Sequence, residues 1–409
     1  MRKKISVDEL EPGMYLEEIC GSWINSPFWR SRFVVSDPQD IALLRASKVR
    51  EVWIDVAKGD DVWPATDRAP LTSLKPPAED PAIAAPAQVA SRAPVPIAEE
   101  LVRARQICAA GKEAVTSMFR EARMGNAVDS ASIGNLVEEI SDSVARNNIA
   151  LISLARLKTA DDYTYMHSVA VCAMMIALAR KLGHDEEQVR SAGVAGLLHD
   201  VGKMLLPTEI LNKPGKLTDT EFLVIKSHPV RGHAFLLEAS HIDPVALDVC
   251  LHHHEKVDGS GYPEGLKGPE ISLMAKMAAV CDVYDAITSN RPYKSGWDPS
   301  ESLRQMGLWA SGHFDLSVFH AFAKTMGIYP VGSLVRLSSG HIGVVTGQTK
   351  ASLTKPIVKV FHVIATGKRV EPFMQDLSAR SCKEKIIARE DPAQWNFADL
   401  NALWSGDVV

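Results

Sequence analysis

Three adjacent histidines, His252-His253-His254, followed by Glu255 and then by Asp258-Gly259-Ser260-Gly261-Tyr262-Pro263, constrain this chain more than any other feature. Imidazoles are costly to bury side by side unless something takes up their ring nitrogens, and the usual partner of clustered neutral imidazoles is a transition metal. A histidine run alone proves little. The same part of the chain also carries His167, His199-Asp200, His228 and Asp282, enough nitrogen and oxygen donors for more than one metal ion.

At 409 residues the chain is too long for one compact core, and several modules are expected. A formal charge of −5 without long like-charge blocks gives no global attraction to nucleic acid or to an anionic membrane. Any phosphate-bearing ligand must then be recognised by a few local cations, and DNA and RNA are not expected partners. Six cysteines are scattered singly, which reads as reduced thiols in a cytoplasmic protein. The basic start Met1-Arg2-Lys3-Lys4 is followed by Ser6, Asp8, Glu9 and Glu11 where a signal peptide would need apolar residues. The longest apolar stretch, Val169 to Ala179, is too short to cross a bilayer, so no membrane insertion is expected.

The composition divides the chain. Residues 1–62 alternate short apolar runs (Met14-Tyr15-Leu16, Phe33-Val34-Val35, Val52-Trp53-Ile54) with turn residues, predicting a small α+β domain with a helix from Pro38 to Ala46. Trp23, Phe28 and Trp29 read as its core or as a partner-binding patch. Residues 63–97 are rich in Pro and Ala and poor in large apolar groups, the composition of a linker. From 98 to 328 apolar residues recur every three to four positions, predicting an all-helical domain. Within it, His167, Val171, Met174 and Leu178 share one helix face that Gly183 ends, and Asp185 caps the next helix, expected to finish near Gly202. Residues 329–409 switch to β-branched alternation with turns at Ser339-Gly340 and Thr366-Gly367, predicting a small all-β domain.

Each candidate ligand has an ordinary explanation when taken singly. His167 could be a core histidine bonded to a backbone carbonyl, His199-Asp200 a structural ion pair, His228 a loop residue ahead of Pro229, and Lys203 a solvated lysine at a helix end. The loop Gly259–Pro263 would form a turn anywhere. Asp282 is harder to dismiss: it lies in an apolar helical segment, where an ionised carboxylate is expensive unless it is paired or metal-bound. Together the residues form an ordered series across one helical domain.

That series, His167, His199-Asp200-Val201-Gly202-Lys203, His228-Pro229, His253-His254-Glu255 with Asp258-Gly259-Ser260-Gly261-Tyr262-Pro263, Asp282-Val283-Tyr284-Asp285-Ala286 and Arg291-Pro292-Tyr293-Lys294, closely resembles the HD-GYP family of bacterial cyclic di-GMP phosphodiesterases. The match runs over residues 150–320 and implies the helical core of the HD phosphohydrolase superfamily. Residues 1–60, with Pro12-Gly13-Met14-Tyr15 and Ser22-Trp23-Ile24, resemble the uncharacterised domain that often precedes it. The resemblance implies that His167, His199, Asp200, His228, His253, His254 and Asp282 bind metal, with Asp200 bridging and His252 outside the set. It also implies Asp200 and Lys203 as catalytic residues, and Lys203, Gly261, Tyr262, Pro263, Arg291 and Lys294 as substrate contacts. Family members with three metals use a glutamate four residues before the first histidine. Tyr163 stands there in this chain, so two divalent ions, iron or manganese, are expected.

The expected activity is hydrolysis of cyclic di-GMP to pGpG, with GMP as a further product, by two-metal hydroxide attack. Two rivals stay open: a phosphodiesterase for another cyclic dinucleotide, and a nucleotide-binding adaptor acting through protein contacts. The adaptor should have lost ligands, and none of the seven is lost. The apolar stripe from Glu99 to Glu121 can pack on the catalytic domain or on a second copy of the chain, and the sequence does not choose; a homodimer or a signalling-protein partner of the chain stays open.

Overall fold

The computed structural model describes residues 2–19, 33–35, 41, 44, 45, 49–58, 92–124, 130–157, 163–213, 215–239, 242–289, 296–349, 352–395 and 397–406. It divides into two compact units, Met1–Ser91 and Arg92–Val409.

In the first unit, β1 (Arg2–Ser6), β2 (Tyr15–Ile19), β3 (Phe33–Val34) and β4 (Glu51–Asp55) form an antiparallel sheet in the order β1-β4-β2-β3. Register runs from Arg2 opposite Asp55 to Ser6 opposite Glu51. Period-two alternation turns Val52 and Ile54 inward, where Ile5, Leu10, Met14, Leu16 and Val35 complete a small core. The sequence reading missed β1, because Arg2-Lys3-Lys4 lacks an apolar run. Most of the helix expected from Pro38 to Ala46 lies outside the described residues, as do Trp23, Phe28 and Trp29 and the linker up to Ser91.

The second unit begins with α1 (Ile97–Arg123), α2 (Ser130–Arg146), α3 (Ala150–Ala155), α4 (Tyr163–Leu182) and α5 (Glu186–Leu198). It continues through a 3-10 turn (Val201–Leu205), α6 (Thr208–Leu211), α7 (Asp219–Lys226), α8 (His228–Glu238), α9 (Pro244–His252), α10 (Leu273–Thr288), α11 (Pro299–His313) and α12 (Leu316–Met326). The central helix is α4, buried on every side from Met166 to Ala179 and in contact with α1, α2, α3, α5, α10 and α12. It is longer than the apolar stretch read from sequence: Thr164–Leu182 is long and apolar enough to cross a membrane, yet 83% of that window is buried within the protein. As expected, α4 stops at Gly183, whose φ of 81° is left-handed, and Asp185 caps α5 by accepting from the Gln188 amide.

The end of α5 departs from expectation. The helix finishes at Leu198 and the chain tightens into the 3-10 turn, with Gly202 inside that turn. Gly202 is required by close packing: a Cβ there would sit 2.0 Å from the His228 carbonyl oxygen and 2.6 Å from the Gly232 amide on α8. In a 3-10 turn residues i and i+3 eclipse, which stacks Lys203 over Asp200.

After α12 come β5 (Leu334–Leu337), β6 (His341–Thr349), β7 (Ser352–Val363), β8 (Lys368–Asp376) and β9 (Ile386–Arg389), antiparallel in the order β8-β7-β6-β5-β9. Two short helices follow, α13 (Pro392–Trp395) and α14 (Leu400–Ser405), so the tail is not all-β. Nor does the sheet form a separate body starting at 329. Leu101 of α1 and Ile149 and Ala150 at the start of α3 share one core with Leu334, Val344, Val358 and Phe361 of the strands and Trp404 of α14. A five-stranded sheet must cover its apolar face, and here helices of the preceding segment do so.

Candidate metal centre

Seven of the residues singled out from the sequence converge. Their donor atoms fall into two sets, His167, His199, Asp200 and Asp282, and Asp200, His228, His253 and His254, in each of which the atoms lie within 4.8 Å of one another. Asp200 belongs to both. Its Oδ2 faces the first set, 3.4 Å from His167 Nε2 and 3.3 Å from His199 Nε2, and its Oδ1 faces the second, 3.2 Å from His228 Nε2 and 3.6 Å from His253 Nε2.

Local structure explains this aim. α5 packs closely on α4 because Gly196 leaves no side chain: a Cβ there would lie 3.0 Å from the Cys172 Cα. That closeness brings His199 beneath His167. Pro229 in the first turn of α8 fits a helix start, which sets His228 at the junction of α7 and α8. His253 closes α9, and Asp282 projects from the middle of α10.

The hydrogen bonds decide which ring nitrogens face inward. His199 Nδ1 donates to the Gly196 carbonyl at 2.8 Å, His228 Nδ1 to Ile225 at 2.7 Å, and His253 Nδ1 to Val249 at 3.0 Å. His167 Nδ1 is held by Asp285 Oδ2 at 2.7 Å, so the carbonyl partner that an ordinary core histidine would use is replaced by a carboxylate. A neutral imidazole that donates through Nδ1 keeps a lone pair on Nε2. Two such rings, His228 and His253, nevertheless face each other through Nε2 at 3.4 Å. Facing lone pairs repel, and Asp200 Oδ1 is buried without a hydrogen-bond partner. A cation between the donors resolves both problems, so the residues fit divalent metal ions.

Electrostatics agree. Burial alone would lower the pKa of His167, but Asp200, Asp282 and Asp285 raise it to about 10. Burial opposes ionisation of Asp200 and Asp282 too, yet Lys203 and His199 hold the first, and His167 the second, well below the usual carboxylate range. The first set is thus a focus of negative charge that favours a positive occupant. Burial lowers the pKa of His228 and of His254, leaving both neutral as ligands must be.

The remaining expected residues separate. His252 turns away, with Nδ1 2.8 Å from Asp248 Oδ1 and Nε2 3.4 Å from Glu264 Oε2. Lys203 Nζ pairs with Asp200 Oδ2. The Tyr262 ring stacks on His254, centroids 4.7 Å apart and planes 30° apart, next to the cis Tyr262-Pro263 bond. Gly261 presses on the backbone of Glu255, where a Cβ would be 2.5 Å from the Glu255 Cα. Arg291, Lys294 and the Tyr163 side chain lie outside the described residues.

Three residues were missed. Asp285 follows Asp282 by one helical turn in the same apolar segment, so the argument that singled out Asp282 applied to it as well. Lys226, two residues before His228, holds its ammonium 4.9 Å from the centre of the Tyr262 ring; no sequence signal marks it. Glu255 stood in the histidine run without a role.

Comparison with known proteins agrees with this architecture. The HD domain profile matches residues 140–318, and the profile described as a domain of unknown function (DUF3391) matches residues 2–133, reaching past the expected N-terminal domain into α2. Cyclic di-GMP phosphodiesterase PA4108 of Pseudomonas aeruginosa is 50% identical over 99% of this chain and 96% of its own length. The cyclic di-GMP phosphodiesterase response regulator RpfG of Xanthomonas campestris is 43% identical over 34% of this chain and 37% of its own. The 3'3'-cGAMP-specific phosphodiesterase 1 of Vibrio cholerae is 34% identical over 43% of this chain and 41% of its own. The chain belongs to the HD-GYP family of HD-domain phosphodiesterases, with the DUF3391 domain in front.

Proposed function

We propose that this protein hydrolyses cyclic di-GMP, opening the ring to linear pGpG, with GMP as the product of a second cut. The observation that carries this reading is half-identity along almost the whole chain to a phosphodiesterase of that name, joined to two donor sets that share one carboxylate.

In this reading His167, His199, Asp200 and Asp282 hold one divalent ion and Asp200, His228, His253 and His254 a second, iron or manganese by ligand type. Ions held there supply Lewis acidity at a phosphate oxygen and a nucleophile of lowered pKa. The chain contributes the rest. Asp285 and the backbone carbonyls hold the imidazoles in one tautomer. Asp200 ties the two sets together, and Lys203 offsets charge that develops on the phosphate. Tyr262 and Lys226, beside His254, are assigned to the substrate, and Arg291 and Lys294 to its phosphates. We assign the protein to the bacterial cytoplasm, with the front unit in a regulatory role.

Product analysis on purified, metal-loaded protein tests the proposal, with metal content measured on the same sample. Asp200→Ala should lower turnover by about 1000-fold or more, equivalent to roughly 4 kcal/mol of barrier. Undiminished turnover in that variant would sink the mechanism. A second reading, hydrolysis of another cyclic dinucleotide, is supported by the cGAMP-specific relative. Competition between cyclic dinucleotides for one enzyme sample separates the two.

A further inference from the structure

Glu255 is only 2% exposed, and it is the one buried residue between His254 and Glu270. The loop that follows therefore has no apolar core, and a carboxylate occupies its centre. Glu255 Oε1 accepts from the backbone amides of Glu264 at 2.7 Å and Gly265 at 3.0 Å, and Oε2 accepts from Leu266 at 3.0 Å. Three consecutive amides thus converge on one side chain, an arrangement that suits an anion. Tyr262 N donates back to the His254 carbonyl at 3.3 Å, and Gly268 N to Val257 at 3.1 Å.

We propose that Glu255 is a positioning residue: its carboxylate closes the 256–267 loop so that Tyr262 stays stacked on His254 and faces Lys226, which sets how tightly the cyclic dinucleotide is held. The placement follows from chain geometry. Glu255 directly follows a member of the second donor set, and its three acceptor bonds lie just beyond Pro263. The clamp therefore joins the backbone of His254 to both ends of the segment that carries Tyr262. Exposed polar loops with few buried contacts open readily, and here charge-assisted bonds take the place of packing. Glu255 touches neither donor set in this arrangement, so its effect passes through Tyr262.

The inference rests on the proposed substrate, and its test separates the two. Full-length, metal-loaded wild type, Glu255→Gln and Glu255→Ala are compared in metal content, in kcat and KM for cyclic di-GMP, and in amide hydrogen exchange across 256–267. Gln matches the shape of Glu but must turn its amide donors toward at least one backbone donor, so it reports even if the Ala variant fails to fold. The expected result for Glu255→Gln is exchange in that loop faster by about tenfold or more, with KM raised about tenfold and kcat changed by less than about threefold. Metal content stays at the wild-type level. Unchanged loop exchange overturns the clamp. Metal loss with a parallel fall in kcat also overturns it, by making Glu255 a support of the metal ligands. A wild type inert toward cyclic di-GMP refutes the substrate reading, while the exchange comparison still decides the clamp.

Discussion

His167 stands between two carboxylates one helical turn apart on α10, with Nδ1 2.7 Å from Asp285 Oδ2 and Nε2 3.0 Å from Asp282 Oδ1. Asp285 is itself 2% exposed and lies 3.2 Å from the Ser289 hydroxyl, so it is fixed from both sides. Such a carboxylate holds the ring in one tautomer and makes Nε2 a stronger donor. Asp285→Ala should weaken metal binding at the first donor set by roughly 10- to 100-fold. Titration of metal-free protein against a competing chelator measures this.

Asp200 is the residue common to both sets, whereas His252 is engaged by Asp248 and Glu264. Asp200→Asn should empty both sets, because a neutral amide cannot offer two anionic oxygens. His253→Ala and His254→Ala should each cost about 10-fold or more in metal affinity, and His252→Ala less than about threefold. Metal analysis of the four variants after equal loading ranks them; a His252 variant as empty as the His253 variant would refute the assignment.

Gly202 and Gly232 face each other where the 3-10 turn crosses α8, and each is the other's nearest backbone neighbour or close to it. Gly202→Ala forces backbone against backbone, which no rotamer change relieves. A loss of roughly 3 kcal/mol is expected, at the upper end of overpacking costs, together with loss of metal as Asp200 moves away from His228. Thermal unfolding with and without metal checks both parts.

Away from the site, Glu100 is fully buried and meets the Arg146 guanidinium at 2.7 and 2.9 Å, with Arg103 at 3.3 Å. Burial raises the carboxyl pKa, but Arg146, with Ser143 and Arg103, outweighs it and the net direction is down from 4.5. A carboxylate with a depressed folded pKa contributes stability that is complete above the unfolded value and lost as pH falls through the folded value. Arg146→Met leaves a buried charge short of its main partner and should cost about 3 kcal/mol near neutral pH. In urea unfolding that difference should be flat down to about pH 4.5 and shrink in stronger acid.

Much of the scaffold was legible because its signals are local. The apolar period of α4, the left-handed stop at Gly183, the Asp185 cap and the β-branched alternation of β5 to β7 each depend on residues a few positions apart. The seven donors were legible as residue types, since a run of imidazoles and a carboxylate in an apolar helix need a common partner. Sequence was weaker where two acceptable local outcomes compete. α5 could have run on to Gly202, but it ends at Leu198 and Gly202 packs directly against α8 from within the 3-10 turn. The β-rich tail could have closed on itself, but α1 and α3 cover its sheet instead.

By itself the sequence determined the elements and the stock of donors. The tertiary structure alone decided that Asp285 holds His167 across 118 residues, that each oxygen of Asp200 faces a different set, that Lys226 reaches Tyr262 and that Glu255 turns into its own loop. The physical reason is range. Helix and strand signals are carried by neighbouring residues, whereas the role of a buried polar atom depends on which distant atom packing brings within hydrogen-bond reach.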